Sequence, residues 1–242
     1  MTAIGIIGSK GRMGQALVAA IAEAGQTHAG GADQGDDVAA LVGASDVLVD
    51  FSSPKALQAT LDACVAAGKP IVIGTTGLEA AHHAAIDHAA EKIAILQTGN
   101  TSLGINMLAA LVEQAASKLD DDWDIEIVEM HHRHKVDAPS GTAKLLGEAA
   151  AMGRSIDLAS HSESGRDGIT GERARGAIGF ASLRGGSVAG DHTVVLASDE
   201  ERIELTHRAE NRMIFARGAV KATGWLVRQK AGRYGMKSVL GH

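Results

Sequence analysis

A glycine-rich loop near the amino terminus, set between a strand pattern and a helix pattern, constrains the fold most strongly. An apolar run from Ile4 to Ile7 precedes three glycines with the spacing G-x-x-G-x-x-G, and an Ala/Leu-rich helical pattern runs from Gln15 to Ala24. The three glycines are Gly8, Gly11 and Gly14. Glycine lets such a turn take positive φ and lets the backbone approach a pyrophosphate without an intervening Cβ. The pattern predicts a dinucleotide-binding strand–loop–helix unit, and the alternative is a tight turn that binds no ligand.

Strand and helix patterns continue to alternate through the first hundred residues. The predicted strands are His28–Ala32, Val47–Phe51, Ile71–Ile73 and Ile93–Leu96, and the predicted helices are Ala56–Ala67 and Glu79–Ala90. This alternation is typical of right-handed βαβ units. It predicts an α/β fold with an amino-terminal Rossmann domain, which is a doubly wound parallel sheet.

The pattern changes after Asn100. The predicted helices are Leu103–Leu119, Ala143–Met152 and Arg212–Gln229, and the predicted strands are Asp124–Ile127, Ala177–Arg184, Thr193–Ala197 and Arg202–Thr206. Ser160–Gly176 has no apolar periodicity and is predicted to be a mobile loop. These patterns indicate a second, α+β domain with a mixed sheet.

Composition excludes several classes of function. Aromatic residues make up 2% of the chain and its formal net charge is −6, which argues against nucleic-acid binding. A single cysteine, Cys64, excludes an intramolecular disulfide, and its helical surroundings predict a buried, inert thiol. Without a membrane-length apolar segment or a secretory signal, a cytoplasmic protein without membrane contact is expected. Trp123, Trp225 and Met107 are expected in the core.

Asp33 lies at the position from which an acid accepts hydrogen bonds from the adenosine ribose. A carboxylate there repels a 2′-phosphate, and the next residue, Gln34, is neutral, although Lys10 and Arg12 would partly offset the repulsion. NADH is therefore predicted as the preferred cofactor, with NADPH as the alternative. The competing interpretation of Asp33 is a solvated turn carboxylate.

Two polar segments, Gly74–Gly77 and Thr98–Thr101, follow predicted strands. Ligands of open parallel sheets lie beyond the carboxyl ends of the strands, so both segments are predicted to line the nicotinamide end of the site. The alternative is a pair of ordinary polar turns.

The segment from His131 to Lys135 has the sequence His-His-Arg-His-Lys, a concentration of positive charge in an acidic protein. Ser140, Gly141 and Thr142 follow at a predicted helix N-terminus, which favours anions. Two anion sites suit a dicarboxylate, and lysine or histidine can transfer a proton. A histidine metal site is disfavoured by the adjacent cations, so no metal is predicted, and a solvated basic turn is the remaining alternative.

Four segments resemble the dihydrodipicolinate reductase (4-hydroxy-tetrahydrodipicolinate reductase) family, and the resemblance runs nearly end to end. They are Gly8–Gly14, Asp50–Pro54, Gly74–Gly77 and, most specifically, Glu129–Ala143. The resemblance implies NAD(P)H-dependent reduction of a cyclic dicarboxylate in the diaminopimelate route to lysine. It also implies a homotetramer built from a Rossmann domain (1–102 and 212–242) and a substrate-binding and tetramerisation domain (103–211).

The resemblance assigns roles to residues as well. It implies His131 and Lys135 as catalytic residues and His132, Lys135, Gly141 and Thr142 as substrate-binding residues. The residues that it implies for the cofactor are Gly8, Ser9, Lys10, Gly11, Arg12, Met13, Asp33, Gly74, Thr75, Thr76, Thr98, Gly99, Asn100 and Thr101.

The chain departs from the family pattern in places. Many members have Glu-Arg where this chain has Asp33-Gln34, which puts the use of NADP in doubt. Thr101 stands where many members have an aromatic residue, and Ser53 stands where an arginine is frequent. The chain is also shorter than some members between Gly31 and Val47, where loops and a helix would be trimmed. Three rival functions remain: a dehydrogenase with a nucleophilic cysteine, a non-catalytic NAD sensor, and a histidine-metal hydrolase.

Overall fold

The computed structural model describes residues 1–241, and the chain divides into two compact units. The first unit combines Met1–Leu103 with the chain from Arg212 onward, and the second is Gly104–Asn211. Within residues 1–241, no helix has both the length and the apolar character needed to cross a membrane.

The first unit alternates strands and helices, as predicted. Its elements are β1 (Ala3–Ile7), α1 (Arg12–Glu23), β2 (Thr27–Ala32), α2 (Val38–Ala44), β3 (Val47–Asp50), α3 (Pro54–Ala67), β4 (Ile71–Ile73), α4 (Ala80–Ala90) and β5 (Ala94–Gln97), followed after the second unit by α8 (Met213–Leu226), β11 (Gly232–Tyr234) and α9 (Met236–Leu240). Their strands form one parallel sheet in the order β11-β5-β4-β3-β1-β2. The order reverses direction between β1 and β3, and such a switch point is where ligands bind open α/β sheets.

Helices cover both faces of this parallel sheet. The side chains of β1 belong to two hydrophobic cores, one on each face of the sheet. Ile4 and Ile6 pack with α1 and α8, whereas Ile7 packs with α2, α3 and α4. The strands are buried on both faces, which explains their nearly continuous apolar sequences. The predicted doubly wound Rossmann fold is confirmed.

The second unit is an α+β fold around a mixed sheet, also as predicted. Its elements are α5 (Leu103–Ala116), β6 (Asp124–His131), α6 (Gly141–Gly153), α7 (Leu158–His161), β7 (Ser162–Ser164), β8 (Ile178–Arg184), β9 (Asp191–Ala197) and β10 (Arg202–Arg208). The sheet order is β10-β9-β6-β8-β7, and β6 pairs parallel with β8 and antiparallel with β9.

Strand β6 alternates strictly between a buried and a half-exposed face. Ile125, Ile127, Glu129 and His131 are buried, whereas the residues between them are half-exposed. The two isoleucines pack into the core formed with α5 and α6. Because side chains alternate along a strand, Glu129 and His131 are held on the same face as this core.

The prediction of a loop over Ser160–Gly176 is wrong at its start, because α7 ends at His161 and β7 pairs with β8. The remaining irregular segment is held by charge rather than by apolar packing. Arg173 binds the carboxylates of Asp124 and Glu126 and the carbonyl oxygens of Ile125 and Ala177. Periodicity could not indicate the contacts with β6, because they join residues that are distant in sequence.

Other elements also differ from the sequence prediction. Between Gly31 and Val47, where loops and a helix were expected to be shorter than in other family members, the chain forms the seven-residue helix α2. Asp37 caps this helix by accepting the N–H groups of Ala39 and Ala40. β11 and α9 were not predicted, because a three-residue strand has too little pattern to recognise. Met107 is 38% exposed, so its predicted core position is wrong, while Cys64 is fully buried as predicted. Trp123 and Trp225 are partly buried against the cores of their units.

Replacing Gly218 of α8 by alanine is expected to destabilise the first unit, because the added Cβ would overlap the carbonyl oxygen of Thr101. A backbone clash of this kind costs about 1–3 kcal/mol. Gly224 lies on the same helix with open space around it. Gly224→Ala should therefore stabilise by about 0.5–1 kcal/mol through helix propensity. Urea unfolding of both variants tests the packing, and equal midpoints would contradict it.

Candidate functional site

The loop between β1 and α1 forms a backbone cradle that only glycine permits. Gly8 has φ +84°, and a Cβ there would lie 2.8 Å from the carbonyl oxygen of Phe51. A Cβ on Gly14 would overlap the carbonyl oxygens of Gly8 and Ser9. The Gly8 N–H donates to Ala32 at 2.8 Å, so the loop is fixed against β2. The result is an exposed backbone turn that leads directly into the N-terminus of a twelve-residue helix.

Asp33 directly follows β2 and reaches back to this loop. Its Oδ2 accepts the hydroxyl of Ser9 at 2.6 Å, and the N–H of Lys10 lies 3.2 Å from both carboxylate oxygens. Asp36 accepts the Asp33 N–H at 2.9 Å and lies 3.7 Å from the Lys10 ammonium. The Asp33 carboxylate therefore holds the loop in place. These contacts differ from those expected of a turn carboxylate that binds only solvent.

A cavity of about 620 Å³ lies beside the loop, outside the carboxyl ends of β1, β2 and β3. Its lining includes Gly8, Gly11, Asp33, Gln34, Ser52, Ser53 and Lys55. The structure brings the predicted residues Gly8, Gly11 and Asp33 together at this cavity, and it adds Lys55, which the sequence analysis did not name. The sequence could have pointed to Lys55, because a lysine in the first turn of a helix that follows a buried strand lies at the ligand-binding edge of the sheet.

The other predicted cofactor residues of this unit follow β4 and β5, and their polar side chains have partners within the unit. Thr75 donates to the buried carboxylate of Asp50 at 3.0 Å, and burial raises the pKa of that carboxyl. Thr98 donates to the carbonyl oxygen of Asn100, and Thr101 donates to that of Phe215. These three hydroxyls therefore help to fix the conformation of the segments that follow β4 and β5. Gly74, Thr76 and Gly99 belong to the same two segments, while Arg12 and Met13 begin α1.

In the second unit, Glu129 lies at the centre of a buried polar cluster. Glu129 is 1% exposed and His131 is 8% exposed, and the Nδ1 of His131 lies 2.6 Å from the Glu129 Oε2. Arg184 of β8 donates to both carboxylate oxygens at 2.8 Å, a bidentate ion pair. Burial alone would raise the pKa of Glu129, but the hydrogen bonds from Arg184 and His131 outweigh it and lower that pKa to about 2.

The same carboxylate connects the strand to the helix that follows. Glu129 Oε1 accepts the N–H of Ser140 at 3.2 Å, and the Ser140 hydroxyl caps α6 by accepting the N–H of Ala143. Gly141 and Thr142 begin this helix, so their N–H groups lie where the helix dipole favours an anion. His131 and the N-terminus of α6, ten residues apart, therefore share one anchor.

Lys135 lies in the loop between His131 and Ser140 and pairs with Asp137 at 2.7 Å. This hydrogen bond holds the pKa of Asp137 below its usual range. Arg184 also donates to the carbonyl oxygen of Asp137, so the arginine that clamps Glu129 fixes the lysine's partner as well. His132 is half-buried, and its backbone N–H donates to Val188.

A second buried histidine completes the cluster. His192 of β9 lies edge-on to His131 with ring centroids 5.0 Å apart, and its Nε2 lies 3.0 Å from the Ser140 hydroxyl. Burial and the nearby His131 lower the pKa of His192 to about 4, so it is neutral near pH 7. Sequence reasoning missed Glu129, Arg184 and His192. The available signal was the charged residue on the apolar face of β6.

A histidine metal site has no support in this geometry. Among residues 1–241, no group of three or more histidine, cysteine, aspartate or glutamate side chains is arranged to hold a metal ion. Arg184 and Lys135 instead bring positive charge to the histidines. The cluster can bind an anion and can move a proton.

His192 is expected to make folding stability fall as the pH is lowered from about 6.5 to about 4. The unfolded chain binds a proton below its usual pKa of 6.5, whereas the folded histidine stays neutral down to about 4. One such proton contributes up to about 1.4 kcal/mol per pH unit. His192→Gln should therefore flatten the dependence of unfolding free energy on pH in this window, as measured by urea titrations. His88→Gln on the exposed face of α4 is the control, and equal slopes for His192→Gln and the unmodified protein would contradict the assignment.

Comparison with known proteins places these features in one family. The chain matches the model of the dihydrodipicolinate reductase N-terminus over residues 2–101 and that of the dihydrodipicolinate reductase C-terminus over residues 104–240. It is 58% identical to the 4-hydroxy-tetrahydrodipicolinate reductase of Zymomonas mobilis, covering 98% of this chain and 96% of that protein. It is 51% identical to the enzyme of the same name from Rhodopseudomonas palustris, covering 98% and 95%.

A solved structure shows the same fold at much lower identity. It is the dipicolinate-bound dihydrodipicolinate reductase from Paenisporosarcina sp. TG-14, with a TM-score of 0.75 and 21% identity, covering 98% of this chain and 99% of that one. The likeness supports the arrangement of a parallel and a mixed sheet described above. Since the two family models together match nearly every residue, the chain belongs to the dihydrodipicolinate reductase family.

Proposed function

We propose that this chain, with NAD(P)H as reductant, acts in the diaminopimelate pathway to L-lysine: 4-hydroxy-tetrahydrodipicolinate loses water to give dihydrodipicolinate, and a hydride and a proton reduce the latter to tetrahydrodipicolinate. The observation that carries the proposal is the shared anchor of the second unit. Glu129 binds both His131 and the backbone of Ser140, so it holds an imidazole near the anion-favouring start of α6. A cyclic dicarboxylate that must accept a proton during reduction needs these two features together.

Four residues of this segment are proposed to bind the substrate: His132, Lys135, Gly141 and Thr142. Gly141 and Thr142 would offer a carboxylate the N–H groups and the dipole of α6. His132 and Lys135 would add positive charge from the preceding loop. Two carboxylates could then be held by two different kinds of anion site.

Lys135 and His131 are the proposed catalytic residues. Asp137 keeps the Lys135 ammonium oriented through hydrogen bonds of 2.7 and 3.0 Å. Lys135 would donate its proton to the carbanion that develops as the conjugated double bond is reduced. His131 would serve as proton donor or acceptor in the same chemistry, with its ring fixed by Glu129.

The glycine loop of the first unit fits a dinucleotide, because its tight backbone, in which Cβ atoms at Gly8 and Gly14 would clash with neighbouring backbone atoms, leads into the N-terminus of α1. The loop from Gly8 to Met13 would hold the pyrophosphate, and Gly74–Thr76 and Thr98–Thr101 would line the nicotinamide through their backbones. When bound, the nicotinamide supplies the hydride. The protein's contribution is to bind and orient it.

NADH is the proposed preferred cofactor, with NADPH as the alternative. The carboxylate of Asp33 lines the cavity beside the loop, where it would accept ribose hydroxyls and repel a 2′-phosphate. Asp36 lines the same cavity and adds to this repulsion, while Lys55 opposes it. Because Asp36 is itself paired with Lys10 at 3.7 Å, Asp33 is the carboxylate on which the preference for the cofactor without the extra phosphate rests.

A homotetramer is the proposed assembly, built through the second unit. The outer face of its mixed sheet carries Val128 and Met130, both half-exposed, and Leu183, which is 52% exposed. Apolar side chains on an open sheet face favour association with another copy. The proposed domain roles follow: residues 1–102 and 212–242 bind the cofactor, and residues 103–211 bind substrate and assemble the tetramer.

Lys135→Ala is expected to lower kcat by about 10²- to 10⁴-fold, because it removes the proton donor. The assay follows NADH and NADPH oxidation with substrate generated in situ by the preceding synthase. The Kd for NADH should not change, and Lys144→Ala, an exposed lysine on α6, should keep full activity. Full turnover in Lys135→Ala would contradict the role of Lys135. If the unmodified protein binds NADH but oxidises neither cofactor, the reductase proposal fails and a cofactor sensor replaces it.

Asp33→Asn is expected to raise kcat/KM for NADPH relative to NADH by about tenfold. The substitution removes the charge that repels the 2′-phosphate and keeps one acceptor for the loop. Steady-state kinetics with both cofactors measures the ratio. Asp62→Asn, which removes the same charge from the exposed side of α3, is the control. An unchanged ratio in Asp33→Asn would contradict the ribose assignment.

A further inference from the structure

We infer that Glu129, clamped by Arg184, is a positioning residue that fixes the tautomer and the ring orientation of His131, leaving Nε2 as the nitrogen that exchanges protons. The inference rests on the proposed function for its catalytic meaning. Its structural content stands on the geometry of the second unit alone.

The tautomer follows from the hydrogen bond between the two side chains. An ionised carboxylate can only accept, so the nitrogen that lies 2.6 Å from the Glu129 Oε2 must carry a hydrogen. That nitrogen is Nδ1 of His131. In the neutral ring, the lone pair therefore lies on Nε2, which can take up a proton.

Arg184 keeps this arrangement intact over a wide pH range. Its two hydrogen bonds of 2.8 Å leave Glu129 ionised, and the pKa of Glu129 falls to about 2. When Nε2 takes up a proton, the imidazolium remains in contact with a carboxylate that is still charged. The proton stays on the imidazole because the carboxylate is already paired with a guanidinium.

The surroundings of the ring limit which other groups affect it. The charged or titratable groups around His131 and the adjacent His192 are Glu129 on β6, Arg184 on β8, His207 on β10, and Lys135 and Asp137 in the following loop, while Asp191 on β9 acts on His207. His192 is neutral above about pH 4. Glu129 is thus the anion in direct contact with the ring.

Gly190 leaves space beside the exchanging nitrogen. A Cβ at this position would lie 3.0 Å from Nε2 of His131. That distance is too short for a side chain to fit without moving the ring. The backbone geometry therefore agrees with a free Nε2 and a bound Nδ1.

The test is the tautomer of His131 in the intact protein, read from long-range ¹H–¹⁵N NMR of ¹⁵N-histidine-labelled samples. The His131 signals are assigned by their loss in His131→Gln. We expect a protonated Nδ1 and a non-protonated Nε2 in the neutral ring. The opposite tautomer in the unmodified protein would overturn the inference, whether or not any variant folds.

Glu129→Gln tests the positioning role. The carboxamide can donate or accept, so the His131 tautomer should become mixed. The value of kcat should fall about 10²-fold, and the Kd for NADH should not change. Arg184→Lys, which keeps the positive charge, should retain the tautomer and most of kcat.

Glu204→Gln is the matched control, since Glu204 is an exposed β10 carboxylate paired with Arg202 at 2.9 Å. It should leave the tautomer and kcat unchanged. If Glu129→Gln lost activity but kept the His131 tautomer, Glu129 would be merely structural and the inference would be wrong. The NMR readings need no substrate, so a protein without reductase activity would refute the proposed function separately.

Discussion

The ion pair between Glu129 and Arg184 organises the second unit's functional cluster. Glu129 is almost fully buried, and removing one partner of a buried pair leaves an uncompensated charge. The pair does more than cancel charge, because the carboxylate also binds His131 and the backbone of Ser140, while the guanidinium binds the carbonyl oxygen of Asp137. The irregular segment between β6 and α6 is therefore attached at Asp137 and Ser140 to two charged side chains, one of which also holds His131 at the end of β6.

The first unit achieves a comparable result with backbone geometry. Its loop is shaped by the absence of side chains at Gly8 and Gly14, and it is braced from β2 by the carboxylate of Asp33. One charged group again serves two purposes. It orders the loop through Ser9 and lines the cavity in which a ribose is proposed to bind. Substitution of such a group affects both loop order and ligand selection.

The predictable parts of the fold were those with a local physical cause. Strand β4 was predicted with its observed bounds, Ile71–Ile73. Three consecutive apolar residues place apolar side chains on both faces of a strand, which is typical of a sheet covered by helices on both sides. The basic segment after β6 and the helix start at Gly141 were also recognisable, since charge and capping are local. The contacts of Arg173 and Arg184 were not, because each joins residues about 50 positions apart. Met107 was misplaced because an apolar side chain on a helix does not reveal which face is covered.

Residue type and spacing were enough to establish the alternation of elements, the glycine loop, the concentration of positive charge from His131 to Lys135, and through them the family. These features depend on backbone freedom, periodicity and local charge, which are properties of short segments. Which atoms meet across the fold depended on tertiary packing. It placed Glu129 between His131 and Ser140, left His192 neutral by burial, and turned Asp33 toward the loop. Burial and charge pairing between distant segments set the ionisation of these groups, and neither can be calculated from spacing along the chain.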